Sequence, residues 1–297
     1  MQMYVVAKGA LERLRRRYHF EAKLMEPIRI DFPSLGAMAD RANSAPKDGA
    51  SWQTDGSHGI NSWTFGVSRP RAVEMAKHGW PEGAAATKRL LDDLNLPPIE
   101  EPYSQTFHGV TGAYVDVGEY VQGMPECMID FQEDKRAARF VHIIVAGGYA
   151  AAFSADEIMQ RGVTIAACID ALEARGVRCS VEMRYQSPEW HTISVDLKHA
   201  SDPLNLDVLA FALAHPACYR RLGFGVCDAQ PDAIRDAAGF REGLGYGSSQ
   251  PFTDIDPSAL LFNTMKYGTH WTRAYSLKKV REALAKYTLA TTSVEET

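Results

Sequence analysis

No stretch of this 297-residue chain strings together the roughly 18 apolar residues that a membrane-spanning helix requires, so no bilayer span is predicted. The opening segment, Met1 to Ala10, is too short and too weakly apolar to act as a signal peptide. Cysteine is sparse and odd in number: Cys127, Cys168, Cys179, Cys218 and Cys227. No two of them make a C-x-x-C pair, which argues against a zinc ribbon or a redox dithiol. Reduced, buried thiols in a soluble, cytoplasmic protein are the expectation. No histidine pair has the H-x-x-x-H or H-E-x-x-H spacing of a zinc site, so no metal is predicted. Neither charge dominates. The net charge of −5 supplies no general pull toward nucleic acid. Internal repeats and low-complexity tracts are missing as well.

What remains is an ordinary globular composition, 45% hydrophobic and 23% charged, long enough for one large domain or two small ones. Residues 36–66 are rich in Gly, Ser, Asp and Asn and read as a loop carrying Trp52 and Trp63. Ser68 opens a helix over 69–78 that Gly79 stops, and Pro81 opens a second that ends before Pro97 and Pro98. Residues 99–112 read as a linker, and 113–121 alternate like a strand.

The run Phe140–Val145 reads as a strand covered on both faces. Ser154 and Glu157 form a capping box before a helix that Gly176 terminates. Val177–Tyr185 and His191–Lys198 follow as antiparallel strands joined at Ser187–Pro188. Helices are expected from Asp202–Pro203 to Ala214, from Asp256–Pro257 to Tyr267, and from Ser276 onward. The predicted fold is α/β, a mixed and largely buried sheet flanked by helices. The predicted division is a helical, loop-rich N-terminal region over 1–112, an α/β domain over 113–290 and a tail over 291–297.

Open α/β sheets bind ligands beyond the carboxyl ends of their strands, so the turn after Val145 is the place to look for chemistry. It reads Ala146-Gly147-Gly148-Tyr149-Ala150. It is neither a dinucleotide fingerprint nor a phosphate loop. Asp55-Gly56-Ser57-His58 gathers a carboxylate, a hydroxyl and an imidazole, but triads are assembled from distant segments and a structural loop is the better account. The Gly243-Leu244-Gly245-Tyr246-Gly247 segment follows no apolar strand and reads as a flexible loop. His142 and His191 read as hydrogen-bonded core groups, and Glu182 and Asp196 as solvent-facing neighbours on adjacent strands. Arg13, Arg15, Arg16 and Arg17 form the densest basic run. Its bland reading is the wet side of an amphipathic helix, and its functional reading a phosphate-binding face.

The strand, the small-residue turn and the helix from Arg161-Gly162 through Ile169-Asp170-Ala171-Leu172-Glu173-Ala174-Arg175-Gly176 resemble the opening of a von Willebrand factor A-type domain. The His78-Gly79-Trp80-Pro81-Glu82-Gly83 and His215-Pro216 to Tyr219-Arg220-Arg221 stretches resemble a family of uncharacterised tailed-bacteriophage proteins. An A-domain carries Asp-x-Ser-x-Ser after its first strand to hold magnesium. Here Ala146, Gly148 and Ala150 stand at that spacing and offer no side-chain oxygen. The resemblance therefore implies a metal-less, non-enzymatic adaptor without a cofactor. It would bind another phage or host protein in the host-cell cytoplasm, an AAA-type ATPase being the implied class of partner. Trp52, Trp63, Trp80, Tyr246 and Trp271 are the partner-binding candidates. The alternatives are a single-stranded nucleic-acid-binding accessory factor acting through Arg13–Arg17, and a hydrolase whose site is assembled from distant residues.

Overall fold

A computed structural model describes residues 28–46, 64–95, 105–132, 139–150, 152–186, 191–232, 235, 251–252, 255–265 and 271–288. By contacts the chain divides into two compact units. One comprises 1–95 with 140–297, and the other 96–139.

The larger unit is α/β, as its sequence predicts. Its five-stranded sheet has the order β1 (Ile28–Phe32), β7 (His191–Lys198), β6 (Val177–Gln186), β5 (Arg139–Ala146), β8 (Leu260–Phe262). Strands β6 and β7 are antiparallel, pairing Met183 with Val195 and Tyr185 with Ile193, while β1 runs parallel to β7. His142 reaches Ser180, and the Gly147 amide donates to the Arg184 carbonyl. Residue numbers therefore rise together along β5 and β6, which makes that pair parallel. β8 lies parallel to β5 on its other side. The sheet is mixed.

Alternation assigns the faces. Val177, Cys179, Val181, Met183 and Tyr185 are buried, as are Val141, Ile143 and Val145. This face lies under the helices. α1 (Leu35–Asn43) and α5 (Ala155–Glu173) pack on the sheet, α2 (Arg69–His78), α3 (Pro81–Leu94), α6 (Leu206–Ala214) and α8 (Arg273–Thr288) pack on them and on one another, and α4 (Val117–Val121) belongs to the smaller unit. α5 is the central helix, with 13 of its 19 residues buried, because β6, α3, α6 and α8 surround it. Its capping box forms as the sequence predicts. Gly162 sits where α5 meets α6, and a Cβ there would lie 2.1 Å from the Leu213 carbonyl oxygen.

Several expectations need correction. Across the start of the predicted 36–66 loop, Leu35, Met38, Ala39 and Ala42 recur at helical spacing and build α1, with Ser34 as its cap. Composition concealed that pattern. β1 has no clear sequence signal, because five residues carry little periodicity. Of the 99–112 linker, Gln105–Gly109 is strand β2. The predicted 113–121 strand ends after Val115, where Asp116 accepts the Gly118 and Glu119 amides and starts α4. α6 begins at Leu206 with Asn205 as cap, later than Asp202–Pro203 implies. Asp256 and Pro257 start no helix. The Asp256 carboxylate holds Ser258 in a turn, and the next residues pair with Ile143–Val145 as β8. α8 begins at Arg273, with the Tyr275 amide bonded to Thr272 Oγ1, so Ser276 is inside it rather than its cap. After His215 the chain resumes as a π-helical segment, Cys218–Gly223, and runs into α7 (Phe224–Asp228).

The smaller unit is a three-stranded antiparallel sheet, β2–β4–β3, with β2 Gln105–Gly109, β4 Met128–Gln132 and β3 Tyr114–Val115. Gly112 is required where the chain crosses β4, since a Cβ would sit 2.6 Å from the Ile129 carbonyl oxygen.

Candidate functional site

The turn after β5, where α/β folds place ligands, is filled by the protein's own side chains. Tyr149 donates to the Leu213 carbonyl across to α6 and faces the Arg161 guanidinium at 5.7 Å. Gly147 lies so close to Tyr185 and Met183 that any side chain would collide with them. Tyr185 stacks on Tyr219 at 4.9 Å. Burial raises the pKa of Tyr149 and of Tyr185, keeping both phenols neutral. The N-terminus of α5, the other anion-friendly feature here, is closed by its capping box, since Glu157 accepts from both the Ser154 amide and its hydroxyl.

Four arginines, Arg69, Arg161, Arg220 and Arg221, are almost wholly buried. Each reaches a distant main-chain carbonyl: Arg69 that of Ala42, Arg161 those of Phe262 and Asn263, Arg220 that of Phe153, and Arg221 that of Val67. Burial lowers the Arg220 pKa to about 10, which leaves it charged at neutral pH. These guanidiniums join the irregular segments to the helical layer. Nothing in residue type or spacing marks them in the sequence, where Arg reads as surface.

The other face of the sheet carries a polar network. His142 Nδ1 lies 2.8 Å from Ser180 Oγ, and its Nε2 lies 3.5 Å from Glu182 Oε2. Glu182 is buried, not solvent-facing as alternation suggests. It accepts two bonds from Arg184, at 2.5 and 2.7 Å, and one from the Ser194 hydroxyl. Burial pushes its pKa up, but the Arg184 and Ser194 bonds together hold it below the usual carboxylate range. Asp196 sits opposite Glu182 in register and is exposed. Hydroxyl, imidazole and carboxylate do converge. The carboxylate, however, is engaged by the Arg184 fork, and it stands beyond hydrogen-bond range of the imidazole. A cleft of about 410 Å³ opens elsewhere, among Leu90, Asp93, Met159, Val163 and Arg273, and Arg273 and Asp93 form an ion pair within it.

The smaller unit differs in kind. No residue from His108 to Asp130 is buried. Val110, Tyr114, Val117, Tyr120, Val121 and Met124 are all exposed, Val117 at 68% and Val121 at 78%. A sheet needs an apolar face covered by something to be stable, and apolar side chains exposed over 110–124 leave such surface uncovered. In the same unit the side chains of His108, Asp116 and Glu119 converge.

Of the sequence-predicted partner-binding residues, Trp80 is half-buried at the start of α3. Its ring packs edge-on against His215 at 4.7 Å and over Gly83, which makes it part of the helical layer. Trp271 is half-buried and packs at right angles on Tyr275. Trp52, Trp63, Tyr246, the Asp55–His58 cluster and Arg13, Arg15, Arg16 and Arg17 lie outside the described residues. The alternation in 113–121 points to one strand, whereas Val117, Tyr120 and Val121 are exposed on helix α4.

No helix among the described residues is long and apolar enough to cross a membrane. No curated protein and no solved structure matches the chain. One family model does, over residues 17–291, nearly the whole length and both units. The chain thus belongs to the family described as a domain of unknown function, DUF7192.

Proposed function

We propose that this protein is a non-enzymatic adaptor that binds another protein through the apolar ridge of its smaller unit, residues 110–124. The supporting observation is the exposure of the unit's described apolar residues over 110–124. Its large apolar side chains stand in solvent while no residue from 108 to 130 is buried. Covering an exposed Val or Tyr by a partner removes apolar area from water at about 25 cal/mol per Å². Exposed aromatic and branched residues such as Tyr114, Val117 and Tyr120 are typical interface anchors. The filled turn after β5 and the engagement of Glu182 by Arg184 agree with a role that is not catalytic. The wider setting is the one the sequence resemblance implies: a bacteriophage protein with a metal-less A-domain-like layer, working in the host-cell cytoplasm beside a phage or host protein, with an AAA-type ATPase as the partner class.

A photo-crosslinking side chain at position 117, in cells where the protein is made, is expected to yield one product of defined mass. The same group at exposed position 78 should yield none. Tyr120→Asp should abolish the product, and high salt should leave it intact. Equal labelling from both positions would overturn the proposal. Salt-sensitive retention of single-stranded DNA, lost in Arg15→Glu with Arg16→Glu, would support the nucleic-acid reading instead.

A further inference from the structure

The geometry points to a divalent-metal site in the smaller unit, formed by His108, Asp116 and Glu119 and suited to zinc. His108 comes from β2, Asp116 precedes α4 and Glu119 lies in its first turn. His108 Nε2 is 3.5 Å from Asp116 Oδ2 and 3.9 Å from Glu119 Oε2. One ligand atom from each side chain lies within 4.8 Å of the other two. The separations to His108 are too long for hydrogen bonds. They are close to the edge of a tetrahedron drawn around an ion with bonds of about 2.0–2.1 Å, roughly 3.4 Å. An imidazole with two carboxylates is a donor set for zinc, and three protein ligands leave a further position open to water. The Asp116 carboxylate is already oriented, because Oδ1 accepts the Gly118 and Glu119 amides and turns Oδ2 toward the imidazole.

A second, independent observation also calls for a ligand. The unit spans only 96–139, none of residues 108–130 is buried, and its one cysteine, Cys127, is free. Units this small with so little buried over 108–130 and no disulfide are usually held by a metal or a partner. An ion at this position would tie β2 to α4 and set the angle at which Val117 and Tyr120 are presented. The inference concerns the ion alone and stands whether or not the ridge docks a protein.

The test uses the full-length protein freed of metal and titrated with zinc against a chromophoric chelator, with cobalt(II) as a spectroscopic stand-in. One equivalent is expected to bind, with visible ligand-field bands for cobalt. His108→Ala and Glu119→Gln should each weaken zinc at least tenfold while the circular dichroism stays unchanged, and His78→Ala should have no effect. Proteolytic cutting within 96–139 should slow when zinc is added to the unsubstituted protein and not when it is added to His108→Ala. Equal zinc affinity in the unsubstituted protein and both ligand variants, or no binding at all, would overturn the site and reduce the cluster to a surface imidazole–carboxylate ion pair.

Discussion

Replacing Gly162 with alanine sets two effects against each other. Inside a helix alanine is favoured over glycine by about 1 kcal/mol, so propensity alone predicts a more stable protein. The packing predicts the reverse. The added Cβ would lie 2.1 Å from the Leu213 carbonyl oxygen and 2.2 Å from Ala214 Cα, both main-chain atoms of α6 with no rotamer to yield. Ordinary contact is near 3.4 Å, so the two helices must part by roughly 1 Å, and a gap of that size forfeits a quarter to a half of the dispersion along the seam. Every residue of α6 from Leu209 to Ala214 is buried, so the loss is spread along the helix. Overpacking of this kind costs about 1–3 kcal/mol, and rigid main chain puts the expected cost at the upper end. The net effect is a loss of about 2 kcal/mol, or roughly 4–8 °C in melting temperature. Urea unfolding followed by circular dichroism reads the sign directly. A Gly162→Ala protein as stable as the parent, or more so, would refute the close α5–α6 approach.

Two further outcomes follow from burial. His215 is packed among Phe65, Trp80 and Phe211, its Nδ1 accepts the Ala217 amide, and burial lowers its pKa to about 4. The unfolded chain takes up that proton near pH 6.5 and the folded one does not. Stability should therefore decline as pH falls from about 6.5 to about 4, by about 3 kcal/mol in all, and His215→Phe should flatten that decline. Parallel pH profiles for the two proteins would contradict the assignment. Among the thiols, Cys168, Cys179 and Cys218 are buried and pushed up to about 12, and Cys227 is raised by the same cause. A disulfide reagent should therefore label half-buried Cys127 alone in the native protein and all five cysteines in denaturant, with the site identified by peptide mass.

The features legible in the sequence are those whose cause is local. Ser154 with Glu157, Ser68 with Gly79, Pro81, and the apolar runs of β5, β6 and β7 act within a few residues, through a cap, a fixed φ or a two-residue period, and each appears where it is expected. Where the cause is distant, local signals mislead. Asp256–Pro257 resembles a helix start, yet pairing with Ile143–Val145 makes the following residues a strand. Glu182 has the alternation of a surface residue, yet Arg184 and Ser194 hold it buried and charged. Sequence by itself determined the α/β class, the order of the central elements and the caps at Ser68 and Ser154, because those follow from propensities and periods along the chain. Only the tertiary structure decided that four arginines lie inside, that the turn after β5 is filled, and that 108–130 buries nothing, because burial depends on which surfaces meet across long separations.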